Sequence, residues 1–407
     1  MKLNYFAFAI PIALFFIFLE FFISKRKGKD FFNFGNTIAN INVGIAERLG
    51  DAFITGIFYY FYEYLYLNFA IFNIKPSAII WISIFLFTDF IWYWYHRLAH
   101  EINVLWGIHI VHHQSEDFNY TVSARITVLQ AIVRTGFWSI LPILGFPPSM
   151  IITILLIHGA YPFFIHTQLI NKLGVLEYIF VTPSHHRVHH ASNEKYLDKN
   201  YGDVLIIWDK IFGTFIEENE KPIFGLTKPL NSYSFLWQHF HFLLEIFYAV
   251  KTSTGLKNKF KIIFGKPERI NANIREGLEK IFLFRNNSIP KSKRFKNYVI
   301  FQIAFILIFL FFFLLFENYF SIVVQVGVSS FILVTLINCG AILEQRKWVF
   351  YLEYIRASIF FSLIYIYEPY PTTLFTLSVM LLLSTSYFSL LQKNYLILVY
   401  GHPDQQP

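Results

Sequence analysis

The chain has 407 residues, 55% of them hydrophobic, 20% aromatic and only 15% charged. A water-soluble domain carries nearer a quarter charged residues, so an ordinary soluble enzyme is excluded. A helical membrane protein is left, because only helices or closed barrels satisfy their backbone in lipid and these apolar runs are too long and uniform for barrel strands. The formal charge of +8 suits basic loops against anionic lipid rather than nucleic acid, and a single cysteine, Cys339, excludes an intrachain disulfide and thiolate metal sites.

In chain order, the first apolar run, 5–23, ends at Lys25, Arg26, Lys27 and Lys29 with no small-residue cleavage site before them, and reads as a retained membrane helix. Runs near the ~20 residues that cross a bilayer follow at 52–72, 78–95, 128–145, 149–165, 298–316, 321–338, 354–367 and 372–391, which makes nine predicted spans. The loops after the second, fourth, sixth and eighth hold one basic residue, Lys75. The positive-inside rule then places the N-terminus outside, the C-terminus inside, and the segments 96–127 and 166–297 on the cytoplasmic side. Pro142, Pro147 and Pro148 predict a tight hairpin between the fourth and fifth spans. Lys257, Lys259, Lys261 and Lys296 mark a solvated or headgroup-facing surface. The expected fold is all-α, a polytopic transmembrane helical bundle with a cytoplasmic histidine-rich di-metal cap. Its expected parts are an anchor helix and basic linker at 1–51, a catalytic domain at 52–297 and C-terminal membrane helices at 298–407.

Eight histidines stand in three tight clusters on the segments assigned to the cytoplasmic side: His96 and His100, then His109, His112 and His113, then His186, His189 and His190. His96 and His100 lie one helical turn apart on one face. The other two clusters repeat the pattern H-x-x-H-H. Imidazole is a favoured ligand of iron, copper and zinc, and one catalytic metal takes three or four protein ligands with an open position, so eight is the count for two metals. Asp89, on the stripe of His96, is expected to support a metal-bound imidazole or to contact Tyr93 or Tyr95. His166 ends the fifth span where it could face the metals, His158 is an intramembrane polar contact or a further metal residue, and His185 is an orienting neighbour. His239 and His241 look interfacial. Glu101, Glu116 and Asp117 are candidates for proton delivery, against plain surface acids. A membrane zinc protease would place its Glu inside H-E-x-x-H, whereas Glu101 follows the pair. Two irons activating dioxygen fit better.

These motifs resemble the fatty acid hydroxylase/sterol desaturase superfamily of membrane di-iron oxygenases, and within it the alkylglycerol monooxygenase branch. The similarity runs from about residue 30 to 230. It is carried by Thr88, Asp89 and the His96–Glu101 stretch, by Trp106 through Asn119, by Ile165-His166-Thr167, by Thr182 through His190, by Asp198 through Gly202, and by Trp208 through Thr214. The resemblance implies iron held by the eight clustered histidines, O2 as oxidant and a lipid C–H as target. It also implies electrons from tetrahydrobiopterin or another external donor, since no Gly-rich nucleotide fingerprint or fused haem domain is present. Hydroxylation at an ether carbon would give a hemiacetal that collapses to an aldehyde and a glycerol. The aromatic stretch from Phe90 to Tyr95 lines the lipid entry or forms a lipid-facing belt. The competing readings are a sterol or fatty-acyl desaturase or hydroxylase, and a non-catalytic metal-binding or metal-transport membrane protein.

Overall fold

The computed structural model describes residues 3–283 and 293–401, and these are all-helical, with two isolated antiparallel bridges, Phe180 to Leu205 and Ala191 to Phe224. The chain divides into two compact units: Leu14–Asn231 with Trp237–Phe284, and Met1–Ala13 with Ser232–Leu236 and Arg285–Pro407.

The first unit takes most of α1 (Ala9–Arg26) and then α2 (Phe34–Phe69), whose N-terminal amides are capped by the Asn33 side chain. Residues 34–51 were expected to be linker; they are helix, because Ile38, Val43, Ile45 and Leu49 bury one side of it. The Asn and Gly residues between them dilute the apolar signal, so hydropathy alone starts the element about five turns late. Ser77 caps α3 (Ala78–Glu101), which carries His96 and His100 in its final turns. One extended residue, Ile102, separates it from α4 (Asn103–His113). Asn103 fixes that corner by donating to the Ile262 carbonyl at 2.7 Å.

The chain continues through α5 (Tyr120–Ser123), α6 (Val128–Trp138), α7 (Ile140–Leu144) and α8 (Pro148–Ile165), where Pro148 occupies the first helical position that tolerates a missing N–H. Short α9 (Pro183–His189) and α10 (Ile207–Phe212) follow, then α11 (Phe235–Thr252), α12 (Leu256–Phe264) and α13 (Ala272–Phe282). Tyr62, Ile84, Tyr95, Trp138, Leu141, Met150 and Ile151 pack α2, α3, α6, α7 and α8 into one apolar cluster. Val43, Ile110, Val111, Phe242 and Ile246 join α2, α4 and α11 in a second.

The second unit holds α14 (Lys293–Leu315), α15 (Ile322–Leu343), α16 (Val349–Tyr367), α17 (Pro371–Ser386) and α18 (Phe388–Tyr400). A carboxylate in such apolar helices needs donors. Glu353 has them in Asn338 at 2.8 Å, Tyr298 and Tyr395 at 3.0 Å each, and a close pair with Arg356.

Among the described residues, six helices are long and apolar enough to cross a membrane: Tyr5–Arg26, Ala78–Glu101, Pro148–Ile165, Lys293–Leu315, Ile322–Leu343 and Val349–Tyr367. A seventh arises if α17 and α18, bent by 79°, count as one. Of the nine predicted spans, 52–72 is therefore the second half of α2, and 128–145 is broken at Ser139 into α6 and α7.

Gly145 ends α7 at φ 103, and a Cβ there would lie 1.9 Å from the Phe72 carbonyl oxygen. Gly145→Ala should therefore cost more than about 1 kcal/mol through both left-handed strain and that clash. A lower thermal unfolding midpoint of the detergent-solubilised protein is the expected result.

Candidate metal centre

Nine imidazoles converge in two groups. His96, His100, His109, His113 and His189 form the first, with one ring nitrogen of each lying within 4.8 Å of all the others. His96 Nε2 is 3.1 Å and His113 Nε2 is 3.2 Å from His109 Nε2. His112, His166, His186 and His190 form the second on the same criterion. There His166 Nε2 lies 3.0 Å from that of His186 and 3.3 Å from that of His112. The two groups share a wall: the rings of His113 and His190 stack with centroids 4.4 Å apart.

Local structure explains the convergence. The i, i+4 spacing aims His96 and His100 from α3, and His109 and His113 from α4, at the first group. His112, about 100° round from His113 on α4, turns to the second. On α9 the same spacing sends His186 and the C-cap His190 to the second group, and His189 to the first. Thr182 caps that helix with Pro183 in its first turn, and the third residue of its capping box is His185. His166 follows α8 directly and donates from Nδ1 to the Pro162 carbonyl at 2.6 Å.

Every one of the nine is buried or nearly so. In α4 and α9 the imidazoles sit well below their ordinary pKa, because burial disfavours the charged ring and the neighbouring imidazoles add to it. His166 is held at about 4, chiefly by burial. Neutral rings present lone pairs. The Nε2 atoms of His100, His189 and His190 are buried with no hydrogen-bond partner in the protein, an arrangement that is costly on its own. A cation fits it: ligand nitrogens about 2.1 Å from one ion sit ~3.0–3.4 Å from each other at octahedral to tetrahedral angles, which is the spacing found here. Orienting bonds come from behind. His96 Nδ1 donates to the Tyr201 carbonyl at 2.9 Å and His189 Nδ1 to the Lys199 carbonyl at 3.0 Å.

The other residues singled out from sequence divide. His166 joins the second group, so the two groups together number nine histidines where the three sequence clusters supply eight. His158 is in neither of these but forms a third, smaller group with Asp89 and Asp203 whose ligand atoms also lie within 4.8 Å of one another; it is fully buried and donates from Nδ1 to Asp203 at 2.7 Å, with Asp89 3.7 Å away. Burial pushes the Asp203 carboxyl up, and His158 opposes that shift. Asp89 supports no clustered imidazole and contacts neither tyrosine as a partner. It accepts from the backbone amides of Val204 and Leu205 and from the Trp208 indole at 2.9 Å. His185 serves the helix cap. His241 is buried against Trp237 rather than interfacial. Glu101, directly after His100, is half-buried and pairs with Arg97 at 2.9 Å. Glu116 is exposed, and Asp117 accepts the Asn33 amide at the start of α2 at 2.7 Å, so neither is brought to the imidazoles by any described contact.

Three residues are given no role by the sequence reading. Glu20, inside the first span, is buried and accepts from Thr167 at 2.5 Å and from the Tyr120 amide at 2.7 Å, which ties α1 to the residue after His166. Its signal was available: an acid inside an apolar span requires a partner. Arg125, also buried, binds the Val111 carbonyl, Asn40, Gln114 and Gln238 behind α4. Asp209 is taken up below.

Residues 81–214 match the family model described as fatty acid hydroxylase. The chain is 38% identical over 368 residues to alkylglycerol monooxygenase of Homo sapiens, covering 87% of this chain and 81% of that one. It is 33% identical to that of Danio rerio, with the same coverage. An ornithine lipid hydroxylase of Rhizobium tropici is 32% identical over 30% of this chain and 38% of its own length. No solved structure matches. Helical membrane segments around clustered histidines, with this family match, define a membrane oxygenase of the fatty acid hydroxylase class. More narrowly, the chain belongs to the alkylglycerol monooxygenase family and is an integral, multi-pass membrane lipid monooxygenase.

Buried neutral imidazoles make stability pH-dependent. The unfolded chain takes up protons near pH 6.5, while folded His166 refuses them down to about 4. Its contribution is complete above pH 6.5 and is lost as pH falls towards 4, at up to ~1.4 kcal/mol per pH unit per ring. The unfolding midpoint of chelator-treated protein should drop steadily from pH 6.5 to 4.5; a flat profile would contradict neutral burial.

Proposed function

We propose that the two histidine groups each hold one iron, and that the enzyme uses O2 to hydroxylate a lipid C–H, that of the ether carbon in a glyceryl ether lipid. The observation that carries this reading is the convergence of five and four imidazole nitrogens with no carboxylate or thiolate among them. An all-imidazole donor set suits iron, copper or zinc, and the family selects iron for oxygenation. His96, His100, His109, His113 and His189 hold one ion, and His112, His166, His186 and His190 the other. Iron bound there supplies O2 activation and attack on an unreactive C–H bond, which no side chain can perform.

The chain's own residues do the rest. Phe118 stacks on His166 at 5.5 Å and on Phe224 at 4.9 Å, keeping water from the second group. Glu101, beside His100 and held by Arg97, passes a proton at the edge of the first. Loss of a proton from the new hydroxyl at an ether carbon releases the glycerol oxygen, leaving an aldehyde and a glycerol. On this reading the centre faces the cytoplasm, a side supported by the basic residues of the segments that carry the histidines. Electrons come from an external donor, tetrahydrobiopterin or a redox protein.

The similarity to an ornithine lipid hydroxylase keeps a second reading in view, hydroxylation or desaturation of a sterol or fatty-acyl chain. A transporter would carry its ligands midway along broken spanning helices. Here six of the nine stand on α4, α9 and its C-cap, outside the spanning helices.

Anaerobically purified protein should contain two irons per chain, fewer in His112→Ala or His189→Ala. In nanodiscs it should consume O2 and release fatty aldehyde from a glyceryl ether. Metal-free protein would end the metal assignment; products only from sterol or acyl substrates would end the ether assignment. Glu101→Gln should keep both metals and lower kcat by about 10²-fold, read in the same assay.

A further inference from the structure

Two of the five rings in the first group take their orientation from one loop, while a third, His109, has its Nδ1 3.4 Å from the Gln130 side-chain oxygen. His96 arrives on α3 and His189 on α9, yet both donate Nδ1–H to carbonyls only two residues apart, Tyr201 at 2.9 Å and Lys199 at 3.0 Å. A ring that gives its Nδ1 proton to a carbonyl must present the Nε2 lone pair forward. We propose that the backbone of Lys199-Asn200-Tyr201 is a tautomer template for the five-histidine group, and that Asn200 and Asp209 are positioning residues acting on the metal only through it. The proposal rests on the metal reading above and specifies how one of its two sites is set.

Two devices hold the template. Asn200 adopts a left-handed φ of 55, next but one to Asp198 at φ 57, and this turn brings carbonyls 199 and 201 to the same side. Its side chain locks the turn, donating to the carbonyls of His185 at 3.2 Å and Ile216 at 2.9 Å and accepting the Ile216 amide at 2.9 Å. Asp209 grips the next peptides: Oδ1 accepts the Tyr201 amide and Oδ2 the Gly202 amide, each at 2.7 Å, and Thr214 donates to Oδ1 at 2.7 Å. Gly202 is required for that approach, since a Cβ there would lie 2.9 Å from Asp209 Oδ2 and 2.7 Å from the Leu205 carbonyl. Asp89 secures the loop's far side through the amides of Val204 and Leu205. The second group has no such template: among its members His166 bonds its own helix, while His112 and His186 leave Nδ1 without a partner.

The test separates the groups by titrating metal-free protein with Co(II) and reading its ligand-field absorption. In a His112→Ala background the band reports the five-histidine group; in a His189→Ala background it reports the four-histidine group. Adding Asp209→Asn, which sets an amide N–H against the Gly202 N–H, should weaken Co(II) binding by about 10–100-fold in the first background and leave the second unchanged. Asn200→Val, which resists the left-handed turn, should do the same, whereas Asn200→Gly, which permits it, should recover most of the affinity. Unchanged binding in the first background, or equal weakening in both, overturns the template. Should Asn200→Val not fold, Asp209→Asn, equal in size to the native side chain, decides alone. Parent protein that takes up no Co(II) at all sinks the metal reading instead.

Discussion

Nine imidazole rings with their Nε2 atoms 3.0–3.3 Å apart at the closest pairs are the constraint around which the histidine-bearing unit is arranged. Burial disfavours the charged form of rings such as His113 and His190, and several ring nitrogens of the groups are buried without a protein partner. A cation among the nitrogens would satisfy the ring nitrogens that lack a partner. A metal bound there would link its uptake to folding, because filling the site removes the cost of orphaned acceptors.

The carboxylates near the centre do different work from the imidazoles. Glu20, Asp89, Asp117 and Asp209 each accept backbone amides and so tie helix starts or loops in place. None belongs to either ligand group. Neutral ligands leave the charge of bound ions uncompensated in a low-dielectric interior, which favours electron-rich partners such as reduced oxygen at the open positions. At the rim of the cluster Asp198 lies 3.9 Å from His100 Nδ1, and Glu101, next in sequence to His100, pairs with Arg97.

Much of the site could be read from sequence because helical periodicity is a local rule. H-x-x-x-H and H-x-x-H-H on helices fix which rings share a face, and the split of His112 from His113 follows from a 100° rotation. His166 was harder: its marks are a position just after a spanning helix and the short stretch Ile165-His166-Thr167, and its partners come from α4 and α9. The early half of α2 was missed because Asn and Gly interrupt its apolar face, and the break at Ser139 because the run 128–145 reads as one apolar span despite Gln130, Arg134, Ser139 and Pro142 within it.

The residues alone determined a helical membrane protein, the ring nitrogens available to a metal, and the class of chemistry they suit, since each depends on composition or on spacing within one element. Only the tertiary structure decided how the rings partition into five and four, that Asp89 and Asp117 accept backbone amides, and that carbonyls 199 and 201 accept from two of the imidazoles. Those outcomes depend on contacts between segments up to about a hundred residues apart, and no local pattern encodes which carbonyl will lie behind which ring.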